Sequence, residues 1–95
     1  MTEAVNPVVD NAAQHRFELT ENGLTAFATY HRHGDHITIP HVEAPAELQG
    51  TGTAGRLMEG IVERVRGEHL KLLPLCPYAV AWLKRHPEHA DVVLS

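Results

Sequence analysis

The sequence has one cysteine, few aromatic residues and no long hydrophobic run. Because Cys76 is the only cysteine among the 95 residues, the chain forms no internal disulfide, and a reducing compartment is expected. No apolar stretch reaches the ~20 residues that a membrane-spanning helix requires. The first residues also lack the basic and then apolar pattern of an export signal. We therefore expect a cytoplasmic protein without a membrane partner.

Basic residues are outnumbered by acidic ones. Eight Lys and Arg against twelve Asp and Glu give a formal net charge of −4, which argues against a nucleic-acid-binding protein. The distribution is uneven, because six of the eight basic residues follow residue 48. An anionic ligand is therefore better accommodated by the second half of the chain.

The length allows one domain with one modest core. Residues 1–13 have no sustained periodicity, so a flexible N-terminal arm is expected there, followed by a domain at 14–95. Alternating apolar residues predict strands at 15–20, 24–32 and 36–44, separated by the turn signals ENG and HGD. These strands form an antiparallel meander, in which Pro40 must lie at an edge, a bulge or a splayed end.

The apolar period becomes helical after residue 53. Thr51 or Thr53 is expected to cap this helix, and Gly67 to end it. Its apolar face consists of Ala54, Leu57, Met58, Ile61, Val62 and Val65. A short strand at 69–75 and a second helix at 77–86 follow, and the last turn is expected at 88–94. The order predicts an α+β fold with a mixed sheet.

A glycine-rich loop connects the meander to the first helix. Gly50, Gly52 and Gly55 fit G-x-G-x-x-G, and a strand–loop–helix unit of this kind can bind an anion through its amides. A dinucleotide site requires an acid at the end of the next strand, but that strand ends at Pro74 and Leu75. A nucleotide-binding P-loop requires a Lys followed by Ser or Thr, which is absent. A kinase-type loop joins two strands, not a strand to a helix.

A different register of the loop fits a known pattern. Gln49, Gly52 and Ala54 match Q/R-x-x-G-x-G/A, and the segments LCPY at 75–78 and RHPE at 85–88 extend the match. From about residue 15 to 93 the sequence resembles the small single-domain members of the GNAT superfamily of N-acetyltransferases. It departs from them at Val42, where they often have Thr, and at His89, where they often have Tyr.

The resemblance implies a trimmed GNAT-like fold that uses acetyl-CoA as acetyl donor. Loop amides would hold the pyrophosphate, and pantetheine would lie between the strand around 41–44 and the strand at 69–75. The residues that the resemblance places at the cofactor are Val42, Glu43, Ala44, Gln49, Gly50, Thr51, Gly52, Thr53, Ala54, Gly55, Cys76 and Tyr78.

Four residues are candidates for catalysis. Cys76, next to a helix N-terminus, is an acyl relay, an aid to CoA departure, a cofactor contact, or simply a small buried residue. Glu43 is a candidate general base, with His41 on the same strand face, and the simpler alternative for both is a solvated face of an edge strand. Tyr78 is a candidate acid for the departing thiolate, or a packed ring.

Other polar residues have simpler interpretations. Histidines at 31, 33 and 36 and at 86 and 89 suggest a metal, but no cysteine or acid completes a set, so no metal is expected. Trp82 is expected in the core. Arg56, Lys84 and Arg85 contact CoA phosphates or are solvated charges.

The sequence therefore predicts an acetyl-CoA-dependent N-acetyltransferase with an amine acceptor, on a protein or a small molecule. The alternative is a module that binds CoA or a protein partner without turnover. A small structural protein with a fortuitous loop is a third hypothesis, and it predicts no CoA binding.

Overall fold

Five strands form one mixed sheet in the computed structural model, which describes residues 6–94. The strands are β1 (Val9–Asn11), β2 (Arg16–Glu21), β3 (Leu24–His33), β4 (His36–Glu43) and β5 (Lys71–Pro74). The helices are α1 (Thr53–Gly67) and α2 (Pro77–Lys84), with 3-10 turns at Ala12–Gln14, Ala46–Leu48 and Pro87–Val92. Strands β1 to β4 are antiparallel neighbours, and β5 is parallel to β4. The predicted meander and the α+β class are confirmed.

A bulge in β4 changes which of its side chains point toward the helices. Thr29 pairs with His41 and His31 pairs with Thr38, so two residues of β4 lie opposite one residue of β3. Pro40 is one of the two, as its missing N–H requires. Ile39, the other residue of the bulge, is buried, and after the bulge Val42 packs against the core.

Both helices pack against one face of the sheet. The predicted apolar face of α1 is buried except at Ala54, which is half-buried and lines a cleft, and Leu57, Ile61 and Val62 are fully inaccessible to solvent. Trp82 of α2 is also buried, as expected. No helix among residues 6–94 is long and apolar enough to cross a membrane.

The start of α1 differs from the expectation of a threonine cap. The residue before the helix is Gly52, with a left-handed φ of 87°, and no side chain caps the helix. Thr53 is the first helical residue, and its hydroxyl donates to a carboxylate of β2. The hydroxyl of Thr51 donates to the carbonyl of Leu48. Both hydroxyls are therefore used to fix the loop.

The N-terminal segment is not the loose arm that was expected at 1–13. Residues 1–5 lie outside the described residues, but β1 pairs with β2, and Val8 is fully buried. The Asn6 side chain donates to the carbonyl of Gly60 at 2.8 Å, and Arg64 donates to the carbonyl of Val8. The segment is too short for a periodic signal, and its partner surface on α1 is more than 50 residues away in sequence.

Gly60 makes this contact possible. A Cβ at this position would lie 2.2 Å from Cγ2 of Val8 and 2.7 Å from Oδ1 of Asn6. The glycine is therefore a place where the N-terminal segment crosses α1 closely, although glycine normally weakens a helix interior.

We expect Gly60→Ala to lower the free energy of unfolding by about 1–3 kcal/mol, because the added methyl group displaces Val8. In an exposed helix interior the same change would stabilise by about 0.5–1 kcal/mol. Thermal unfolding followed by circular dichroism measures the difference. Gly67→Ala is the matched control, because nothing lies within 4 Å of a Cβ there. A Gly60→Ala protein as stable as the parent would contradict the packing of Val8 on α1.

Candidate functional site

A cleft opens where β4 and β5 separate. Their last register pair is Ile39 with Pro74. The carbonyl of Ile39 then accepts from the amides of both Leu75 and Cys76, at 3.0 and 3.1 Å. Beyond this point β4 continues to Glu43, and among the described residues it is paired only with β3. The strand edge that faced β5 is therefore left without a partner strand.

The cleft beside this open edge has a volume of about 460 Å³. Its walls come from the end of β4, the glycine loop, the first turn of α1 and the first turn of α2. The lining residues are Val42, Ala44, Leu48, Gln49, Gly50, Gly52, Thr53, Ala54, Gly55 and Tyr78. One wall is therefore mainly apolar side chain, and the other is mainly loop backbone.

The loop and the first turn of α1 contain several backbone amides that are not used in the hydrogen bonds of residues 6–94. Gly50 and Gly52 adopt φ values of 80° and 87°, which disfavour other residues. The amides of Gln49 and Thr51 bond within the loop, to Ala46 and Leu48. Within residues 6–94, no acceptor is found for the amides of Gly50, Gly52, Thr53, Ala54 and Gly55. Together with the positive end of the helix dipole, these donors suit a phosphate or pyrophosphate group.

The carboxylate of Glu21, at the end of β2, bonds to the first turn of α1, directly after the loop. Glu21 Oε1 accepts from Thr53 Oγ1 at 2.5 Å, and both Glu21 oxygens accept from Arg56 at 2.7 Å. Arg56 also donates to the carbonyl of Thr51 at 3.1 Å. The bonds from Arg56, and then from Thr53, lower the pKa of Glu21 to about 2. The carboxylate is therefore ionised throughout the pH range in which proteins are normally studied.

Thr53 lines the cleft, whereas Thr51 and Arg56 do not. The amide and the hydroxyl of Thr51 both donate to Leu48, and Arg56 is paired with Glu21 instead of standing free for a phosphate. Glu21 is a functional candidate that the sequence did not reveal. It lies 32 residues before Thr53 and matches no motif, so no local signal connects it to the loop.

Gly55, the third glycine of the motif, has a packing role. A Cβ on Gly55 would lie 3.3 Å from the indole nitrogen of Trp82. Its absence allows α2 to approach the first turn of α1 closely, which brings Tyr78 to the cleft. Burial raises the pKa of Tyr78, although Arg85 offsets part of the rise. The hydroxyl is therefore protonated at neutral pH and available as a donor.

Cys76 precedes α2 and is 7% exposed. Its amide is bonded to Ile39, so it marks the point where the two strands separate. It does not line the cleft itself, but it is close enough to Tyr78 for a thiolate there to disfavour ionisation of the phenol. Of the four candidate catalytic residues, Tyr78 alone lines the cleft.

His41 and Glu43 lie on the other face of the sheet. They pair with Thr29 and Phe27, whereas Val42 pairs with the buried Ala28 and lines the cleft. His41 Nε2 is 3.0 Å from Glu43 Oε1, and both side chains are more than half exposed. The structure therefore brings these two candidates together, on the face opposite to Tyr78.

The histidine groups take part in other contacts. His33 and His36 stack at a ring distance of 5.3 Å on the β3–β4 hairpin. In the described part of the chain, the three ligand-type side chains near enough to share an ion are Glu59, Glu88 and His89. His89 already contacts Glu59 at 2.7 Å and Arg66 at 3.2 Å through its two ring nitrogens.

Comparison with known proteins agrees with the architecture. Residues 16–92 match the family model described as GCN5-related N-acetyl-transferase. The fold is similar to the NMR solution structure of a GCN5-like protein from Staphylococcus aureus, with a TM-score of 0.73 and 27% sequence identity over 93% of this chain and 87% of that one. No curated protein sequence matches the chain. With the matched region spanning the meander, the glycine loop and both helices, the chain belongs to the GCN5-related N-acetyltransferase (GNAT) family.

Proposed function

We propose that the protein binds acetyl-CoA in the cleft between β4 and α2 and transfers the acetyl group to an amine. The observation that carries this proposal is the set of loop amides without acceptors, next to a β4 edge without a partner strand. Family membership supports an acetyl donor of this kind. Acetyl-CoA carries its diphosphate on a long neutral arm. The loop amides suit the diphosphate, and the apolar wall at Val42 and Ala44 suits the arm.

In the proposed binding mode, the loop amides around Gly50 and Gly52 hold the pyrophosphate. The pantetheine arm runs past Val42 and Ala44, where the open edge of β4 offers backbone groups. The glycines suit this role because side chains on the loop would obstruct close approach of a phosphate to the backbone. The thioester then lies near the point where β4 leaves β5, next to Cys76 and Tyr78.

The proposed chemistry is direct acyl transfer. The amine nitrogen attacks the thioester carbon, the carbon–sulfur bond breaks, and the amine proton leaves. Tyr78 is placed to protonate the departing thiolate, since its phenol is protonated and lines the cleft. We propose that the His41–Glu43 pair takes the proton from the amine. The amine substrate would then bind on the sheet face opposite to the helices.

One observation favours a second function, a module that binds CoA without turnover. Cys76 does not line the cleft, and His41 and Glu43 lie on the other face of the sheet. In this alternative the cleft still binds CoA, but no acetyl group is consumed. Measurements of binding and of turnover therefore test different parts of the proposal.

Titration calorimetry with acetyl-CoA tests the binding mode. We expect saturable binding at one site, no binding of NAD, and loss of acetyl-CoA binding in Gly52→Glu, because the new side chain would collide with Arg56 and disturb the loop whose amides hold the diphosphate. Gly34→Glu is the matched control, since Gly34 also has a positive φ, with open space around it, in a distant hairpin. Absence of binding at millimolar acetyl-CoA would contradict the proposed function.

Release of free CoA thiol in the presence of primary amines tests turnover. We expect Glu43→Gln to lower kcat by roughly 100-fold, because a general base contributes about 10²–10⁴ in rate, while the Kd for acetyl-CoA stays unchanged. Glu63→Gln, an exposed acid on α1, is the control. Cys76→Ala measures the contribution of the thiol separately. If acetyl-CoA binds but no lysine peptide, polyamine or aromatic amine releases CoA, the module without turnover is favoured.

A further inference from the structure

Hydrogen bonds connect Glu21 of β2 to the first turn of α1, next to the candidate anion site. Their partners, Thr53 and Arg56, are 32 and 35 residues away in sequence. Glu21 ends β2 and reaches two points of the loop and helix, Thr53 and Arg56. Arg56 in turn holds the carbonyl of Thr51. The segment from Thr51 to Arg56 is therefore fixed to the sheet by one carboxylate that does not itself line the cleft.

The guanidinium also limits what the loop can contain. A Cβ on Gly52 would lie 2.9 Å from Arg56 Nη1. Gly52 is therefore constrained twice, by its left-handed φ of 87° and by the arginine packed against it. With Arg56 in place the backbone of Gly52 has little room to move toward the guanidinium.

The charge of Glu21 is unfavourable for a simple anion site. A carboxylate bonded to the first turn of a helix reduces the positive potential that the helix end and Arg56 offer to a phosphate. If the site worked by net charge alone, Glu21 would weaken binding. Its two-point bonding to Thr53 and Arg56 gives it a different use, which is to hold the amides in place before the ligand arrives.

We propose that Glu21 and Arg56 are positioning residues that hold the loop amides of Gly50, Gly52 and the first turn of α1 in the arrangement that binds the diphosphate of acetyl-CoA. This inference rests on the proposed function. Neither residue contacts the ligand in this arrangement, and both act through the backbone of the loop.

The sign of the effect at Glu21 separates positioning from charge. Positioning predicts that Glu21→Gln raises the Kd for acetyl-CoA by roughly threefold to tenfold, because the amide nitrogen cannot accept from Arg56. Charge alone predicts a lower Kd, since a negative group near an anion has been removed. Arg56→Lys keeps the charge but loses the two-point bond, so positioning predicts a similar rise and charge alone predicts little change.

Arg66 and Asp91 provide a control ion pair at the other end of α1. Arg66, near the end of the helix, makes a two-point ion pair with Asp91 of the Pro87–Val92 turn, distant from the loop, although Asp91 is more exposed than Glu21. We expect Asp91→Asn and Arg66→Lys to lower the melting temperature, as the Glu21 and Arg56 variants do, but to leave the Kd for acetyl-CoA unchanged. The double variant Glu21→Gln/Arg56→Lys should lose no more affinity than the larger single loss, because both changes break one unit.

The measurement is calorimetric titration of each full-length variant with acetyl-CoA at constant ionic strength. A Kd for Glu21→Gln equal to or below that of the parent overturns the inference and leaves the proposed function standing. Equal losses of affinity in the Asp91 and Glu21 variants also overturn it, because they indicate a general loss of stability. If the parent protein itself does not bind acetyl-CoA, the proposed function fails first.

Discussion

The carbonyl of Ile39 is the point on which the candidate site depends. It accepts from two successive amides, those of Leu75 and Cys76, and no register pair joins β4 to β5 after it. If the pairing had continued by three residues, the edge of β4 at Val42 would be covered and the cleft would close. The bulge at Pro40 acts with this separation, because it turns Val42 toward the helices where the strand edge becomes open.

The second requirement is a fixed position for the N-terminus of α1. The apolar face of the helix holds it against the sheet, but a helix on an apolar surface can still slide or rotate. Polar contacts at two points resist this. Glu21 fixes the first turn through Thr53, and the Asn6 and Val8 segment crosses the helix at Gly60. In a chain of 95 residues these few contacts substitute for the additional layers of a larger domain.

Local patterns predicted most of the fold. Alternation in β2 to β4 and the helical period of α1 are strong signals, since each spans several repeats of its period. Residues 6–13 were misassigned because a three-residue strand has no measurable period, and Val8 is buried by a helix far along the chain. The cap of α1 was misassigned because the loop uses its threonine hydroxyls elsewhere, which composition alone does not indicate.

The candidate site was predictable to a similar degree. The glycine loop and Tyr78 were identified from sequence, and the structure places both at the cleft. The sequence did not show which side chains of β4 point toward the helices. Simple alternation from Ile39 would place His41 and Glu43 on that side, but the bulge shifts the pattern by one residue and places Val42 there instead. Glu21 was not identified at all, since its role depends on a contact across 32 residues and not on a motif.

The two faces of β4 suggest how a one-layer sheet can serve two substrates. Val42 points toward the cleft and its neighbours His41 and Glu43 point away, so one short strand presents different chemistry to each side. On the proposed function, the donor and the acceptor approach from opposite faces and meet where β4 and β5 separate. On the same proposal, the amine binds on the face that carries His41 and Glu43, whose side chains are both more than half exposed. Selection of the amine would then depend on the reach of its side chain to His41 and Glu43, and not on an enclosed pocket.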